Sequence, residues 1–167
     1  GDMANMMVVR AALGPTTGVV QLSGWDNPDH RGLGTAVTGH RAGLAQNWFD
    51  GESIEVPQLR LADVIAEHAG DREIGLLKID VEGYEPEVLA GAPGLFADGQ
   101  IRTAILEVTP DVDALWAADL IASAVGYEAF AIGEVGGLVR RTDLRPVVAL
   151  EAADRLDQWN LLLRRRV

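Results

Sequence analysis

The sequence predicts an α/β domain built on a mostly parallel sheet, with helices on both faces and an antiparallel last strand. Three observations lead there. Residues 74–81 and 101–108 are near-continuous apolar runs, the pattern of strands buried on both faces of a parallel sheet. Each run is followed by a helical pattern, over residues 84–90 and 109–125, and the second helix leads into another apolar run at 127–132. The chain of 167 residues, 48% hydrophobic and 23% charged, has the size and composition of one folded unit, so residues 1–167 are read as a single domain.

Taken in order, residues 6–13 are apolar and β-branched enough for a first strand. Residues 17–22 read as a returning one, with Gly14-Pro15 supplying turn chemistry between them. Residues 23–47 are punctuated by Gly24, Pro28, Gly32, Gly34, Gly39 and Gly43. This stretch reads as a long loop with at most a short strand near 35–38, and loops of that length in compact domains are usually functional. Alternation at 53–56 marks another strand. Leu59, Leu61, Val64, Ile65 and His68 then share one helical face, and Gly70 stops that helix. Pro86 fits the first turn of the helix over 84–90, where a missing N–H costs nothing. Gly91, Pro93 and Gly94 break it. Thr109 is placed to cap the following helix. Val112, Leu115, Trp116, Ile121 and Val125 line its buried side, and Gly126 ends it. A shorter strand at 138–141 follows a glycine-rich hairpin turn at 133–137, and residues 159–164 form the last strand. Strand–helix–strand connections cross over right-handedly. The runs 74–81, 101–108 and 127–132 are therefore expected to be parallel neighbours, with 158–164 antiparallel to one of them.

Composition removes several function classes. Cysteine is absent, which excludes disulfides, zinc–thiolate sites, iron–sulfur clusters and thiol nucleophiles. The 25 acidic and 14 basic residues give a net charge of −11. Such a surface repels phosphate backbones and anionic membranes, so neither nucleic acid nor a membrane is expected as partner. No apolar run approaches the ~18 residues of a transmembrane helix. The opening Gly1-Asp2-Met3 carries no signal-peptide pattern, and a cytoplasmic setting is expected. The basic end Arg164-Arg165-Arg166 reads either as a phosphate-binding tail or as a solvated strand end, and the acidic balance favours the second.

Ligands of open α/β sheets bind beyond the carboxyl ends of the strands. Here one run ends in Asp80-Val81-Glu82-Gly83 and the next in Glu107-Val108-Thr109, so three carboxylates are expected to share one crevice near the glycine-rich loop. Crowded carboxylates tend to hold a proton, bind a cation or accept a substrate hydroxyl. The competing role is helix capping, where negative charge is favoured; that role suits Glu85 and Glu87 better than Asp80 and Glu82. Gly83 allows a sharp exit or a close approach of backbone to ligand. Lys78 reaches either an acidic neighbour or the sheet edge. His68 reads as structural, and His40 as a candidate general base. Asp26, Asp29 and His30 form a loop cluster better read as solvated than as a metal site, and no metal is expected. Nucleotide-binding glycine loops, the Gly-x-Ser-x-Gly elbow and His-Glu-x-x-His are absent.

The stretch from Gly75 through Leu-Leu-Lys-Ile-Asp-Val-Glu-Gly-Tyr-Glu-Pro-Glu-Val-Leu-Ala-Gly to Ala92 closely resembles the signature of FkbM-type methyltransferases. The strand ending in Glu107, the segment from Leu59 to Ile65 and the Ala-Leu-Gly turn before Pro15 resemble the same family, over roughly residues 5–165. The resemblance implies a class I methyltransferase (Rossmann-like) fold, S-adenosylmethionine as cofactor, and O-methylation of a sugar or another small secondary metabolite. It implies catalytic roles for Asp80, Glu82 and Glu107, with Gly83, Tyr84 and His40 on the substrate side. The family's Asp-x-Gly-Ala-Asn-like cofactor turn and the acidic ribose-binding strand end do not occur here. The chain is therefore expected to lack the first strand–helix units, and the strand at 74–79 to expose an edge that a second copy or another segment covers. The alternatives are a degenerate methyltransferase-like module that binds a partner without catalysis, and a metal-dependent enzyme using Asp26, Asp29 and His30.

Overall fold

The computed structural model describes residues 5–23, 53–108, 115–134, 142–146 and 159–166. Eight strands and three helices are defined in them. They are β1 (Ala12–Leu13), β2 (Gly18–Leu22), β3 (Ile54–Leu59), α1 (Leu61–His68), β4 (Leu77–Ile79), α2 (Glu85–Ala90), β5 (Thr103–Val108), α3 (Leu115–Ser123), β6 (Tyr127–Glu134), β7 (Thr142–Pro146) and β8 (Trp159–Arg165).

The strands form two sheets. The larger has the order β4-β5-β8-β6-β7. Its buried face can be followed across four strands in register: Leu77 and Ile79 lie beside Ala104 and Leu106, which pair with Leu163 and Leu161, which pair with Ala129 and Ala131. Ala104, Leu106 and Leu161 are fully inaccessible, and Trp159 closes the same row opposite Val108. Period-two burial on β8, with Trp159, Leu161 and Leu163 inside, is the signature of a strand with one face on a core. Tyr127 begins β6 by donating its hydroxyl to the Ile101 carbonyl and packing edge-on against Phe96, ring centroids 5.3 Å apart.

The mixed character of this sheet corrects the expected topology. β4 and β5 are parallel neighbours as expected, but β6 is not beside β5. β8 is inserted between them and runs antiparallel to both. β4, β5 and β6 thus share a direction, while three of the four pairings in the sheet are antiparallel. The sheet is not mostly parallel, because the last strand returns through its middle and β7 folds back on β6 as a hairpin partner. The strand expected at 138–141 lies outside the described residues; pairing starts at Thr142, opposite Glu134. The cap at Thr109 also lies outside them.

The basic strand end is ion-paired. Arg164 meets Glu128 at 2.9 Å, and Arg165 reaches Glu73 and the Gly99 carbonyl. This is the solvated, charge-balanced end the composition favoured.

The smaller sheet has the order β1-β3-β2, with β1 parallel and β2 antiparallel to β3. The strand expected over 6–13 is reduced to Ala12–Leu13; Met6, Met7 and Val8 are exposed, having no partner strand among the described residues. The small sheet docks through backbone. The Gly14 carbonyl, just after β1, lies so close to Gly91 that a Cβ there would overlap it; α1, which follows β3, adds the Ala62 N–H donating to the Gly91 carbonyl at 3.2 Å. Nearby, the buried Gln58 amide donates to the Thr16 carbonyl at 2.7 Å.

That approach gives a direct test. Gly91→Ala forces backbone against backbone, where no side chain can rotate away, and is expected to destabilise the fold by about 1–3 kcal/mol, read as a lower urea midpoint. Gly18→Ala, where an added Cβ meets open space, should leave the midpoint nearly unchanged.

Candidate active site

The register of β4 and β5 sets the site. Ile79 is level with Leu106, so the residues that follow, Asp80 and Glu107, emerge side by side at the strand ends. After Asp80 the chain reverses in a turn closed by the Tyr84 N–H donating to the Val81 carbonyl at 3.3 Å. Both central residues have positive φ, 53° at Glu82 and 88° at Gly83, as in a type I′ turn. Gly83 adopts this freely. Glu82 is the only non-glycine residue at positive φ among the described residues, at a cost on the order of 1 kcal/mol.

The turn swings Glu82 back toward the strand ends. Carboxylate oxygens of Asp80, Glu82 and Glu107 lie within 4.8 Å of one another. Asp80 is exposed, Glu82 half-buried and Glu107 buried. Lys78, one turn of the pleat before Asp80, meets it at 2.6 Å; hydrogen bonding to Asp80 and the attraction of its charge raise the lysine pKa. Burial raises the pKa of Glu82, and the charges of Asp80 and Glu85 add to the effect. Three oxygens this close suit a hard cation or a shared proton. The expected crevice of carboxylates is therefore present.

Beside it opens a cavity of about 860 Å³, within the range of small-molecule sites. Asp80, Glu82 and Tyr84 form one side; Leu13, Leu22, Val56 and Pro57 of the small sheet form an apolar wall opposite. Arg10 is at its margin. The Tyr84 hydroxyl donates to Gln58 Oε1 at 3.4 Å, tying the turn to β3.

Of the residues expected on the substrate side, Gly83 and Tyr84 belong to this tip. His40 lies outside the described residues, as do Asp26, Asp29, His30 and the glycine-rich loop. Sequence reasoning missed the apolar wall supplied by β1, β2 and β3. It also undervalued Glu85, which is 2% exposed and accepts the Val81 N–H at 2.9 Å. The available signal was its spacing: a glutamate four residues after Val81, just beyond a glycine turn. Burial raises the Glu85 pKa, against the lowering effect of backbone N–H donors at Val81, Glu85 and Gly83.

An α/β domain that gathers acidic side chains at the ends of adjacent parallel strands, beside an open cavity, is the class defined by fold and site. Within it, the chain belongs to the methyltransferase FkbM domain family, whose sequence model matches residues 2–143. It is also 41% identical over 111 residues to the 31-O-demethyl-FK506 methyltransferase FkbM of Streptomyces tacrolimicus, an overlap of 66% of this chain and 41% of that protein. The chain thus spans about two-fifths of the length of that relative. No solved structure matches the chain. Among the described residues no helix is long and apolar enough to cross a membrane.

The raised carboxyls predict a pH dependence. Glu82 and Glu85 bind a proton more tightly folded than unfolded. The stability this contributes is complete below their ordinary value of 4.5 and is lost as pH rises through the raised folded values. Glu82→Gln and Glu85→Gln should each flatten the fall in unfolding free energy above pH 4.5, measured by urea titration at a series of pH values.

Proposed function

We propose that this domain serves an O-methyltransferase that moves a methyl group from S-adenosylmethionine to a hydroxyl of a small molecule with an apolar scaffold. The observation that carries the reading is the carboxylate cluster at the ends of β4 and β5, facing an apolar wall across a ligand-sized cavity. Membership of the methyltransferase family supports the reaction class, the relative named for a 31-O-demethyl substrate supports an oxygen acceptor, and the apolar wall supports an apolar scaffold.

The donor set fits a cationic methyl donor: Asp80 and Glu82 line the cavity, Glu107 lies within 4.8 Å of both, and Lys78 is spent on Asp80. Asp80, Glu82 and Tyr84 are the residues on hand to hold it or its acceptor. When bound, S-adenosylmethionine supplies an electrophilic methyl group. The protein's own work is alignment and proton transfer. Glu82 takes the acceptor's hydroxyl proton as the oxygen is methylated. A carboxylate whose pKa is raised is a stronger base for that task. Asp80, held by Lys78, orients the hydroxyl. Leu13, Leu22, Val56 and Pro57 seat the apolar body and exclude water.

The test uses the natural protein that carries this domain, with methyl-labelled S-adenosylmethionine and 31-O-demethyl-FK506 as a model acceptor. Label should appear in the acceptor. Glu82→Gln should lower kcat by about 10²-fold with an unchanged circular dichroism spectrum. Absence of both label transfer and calorimetric binding of S-adenosylmethionine would overturn the reading in favour of a non-catalytic module.

A further inference from the structure

We infer that Glu85 is a positioning residue: its buried carboxylate clamps the turn that carries Glu82 and so sets the geometry of the carboxylate cluster. Glu85 is the first residue of α2, yet its side chain turns inward and is almost fully buried. Its Oε1 accepts the Val81 N–H at 2.9 Å, and the N–H groups of Gly83 and of Glu85 itself also donate to the carboxylate. Val81 and Gly83 flank Glu82 on either side in sequence. The carboxylate therefore bridges the turn from within, across the one non-glycine residue held at positive φ among the described residues.

Three alternatives for Glu85 fail on these observations. It is not a solvated charge at a helix start, because it is 2% exposed. It does not merely fill the core, because an apolar side chain of similar size would leave the Val81 and Gly83 N–H groups without this acceptor. Nor is it a member of the cluster itself, which is formed by Asp80, Glu82 and Glu107. What remains is a support whose loss lets Glu82 relax toward negative φ, swinging its carboxylate away from Asp80 and Glu107. The catalytic consequence rests on the methyltransferase reading; the clamp itself does not.

The experiment separates the two. Amide hydrogen exchange by NMR on the full chain compares Glu85→Ala and Glu85→Gln with Val88→Ala, a buried substitution on the same helix that touches none of these hydrogen bonds. Glu85→Ala should speed exchange at Val81 and Gly83 by about ten-fold beyond any global loss of protection. Glu85→Gln, which keeps one acceptor oxygen, should fall between it and the parent. Val88→Ala should change these amides only as much as it changes the core. Acceleration that is uniform across the chain in Glu85→Gln, matching Val88→Ala, would overturn the clamp. In the methylation assay, loss of the clamp should reduce kcat about ten-fold with little change in KM. Looser Val81 and Gly83 amides with kcat intact would overturn the positioning role. Looser amides in a protein with no methyl transfer at all would uphold the clamp and overturn the reaction instead.

Discussion

The structure depends on one strand. β8 is the one strand that joins the β4–β5 pair to the β6–β7 hairpin in the larger sheet, and it supplies hydrogen bonds to both sides. Its inward residues Trp159, Leu161 and Leu163 complete the row of buried side chains that begins with Leu77 and Ile79. Register on a half-buried strand is strongly specified, because a one-residue slip would turn every apolar side chain outward. Fixing β8 against β5 therefore fixes how far β5 extends, with Glu107 opposite Asn160 and Val108 opposite Trp159. The parallel register of β4 on β5 then places Asp80 level with Glu107. The site is thus a consequence of sheet register before it is a matter of loop conformation.

The carboxylates were legible in the sequence for the same reason. Strand ends are visible as the point where an apolar run stops, and the acidic residues stand at two such points. Strand order was less legible. Nothing local in Trp-Asn-Leu-Leu-Leu-Arg tells an edge strand from one inserted between two others; the difference lies in partners distant in sequence. The first strand was overestimated for a related reason. Residues 6–11 have β-forming side chains, but propensity reports how a side chain suits a pleated, half-buried surface, and Met6, Met7 and Val8 have no such surface beside them. Glu85 reads as a charge at the helix start, and it does accept backbone N–H groups there, but its burial was not legible because a glutamate in a helix's first turn ordinarily faces water. Its burial follows from the reversal at Glu82 and Gly83, and only the glycine of that pair is readable from residue type.

Electrostatics explains why the cluster needs so much support. Two like charges ~5 Å apart repel by roughly 3 kcal/mol at an effective dielectric of about 20. Free side chains on a surface would simply move apart. Here they cannot. Asp80 is held by Lys78, Glu107 is fixed in the ladder of β5, and Glu82 is returned toward both by a turn with the wrong handedness for its residue type. Burial raises the Glu82 pKa first, and the charges of Asp80 and Glu85 raise it further, so the crowding is felt as a tighter hold on a proton.

The same logic extends to the cavity's far wall. The small sheet reaches the site only because Gly14 and Gly91 bring two backbones into direct contact and Gln58 spans the gap between Thr16 and the Tyr84 hydroxyl. A side chain at Gly91 would meet the Gly14 carbonyl, and one at Gly14 would displace the Gln58 side chain that reaches Thr16 and Tyr84. A wall that is apolar and a floor that is anionic are therefore brought together by the least specific element available, a hydrogen atom in place of a side chain. The acidic floor follows from strand register, and its enclosure from the close approach of the Gly14 carbonyl to Gly91. These constraints act on different elements, so a change in the residues of β2 and β3 leaves the register that forms the floor intact.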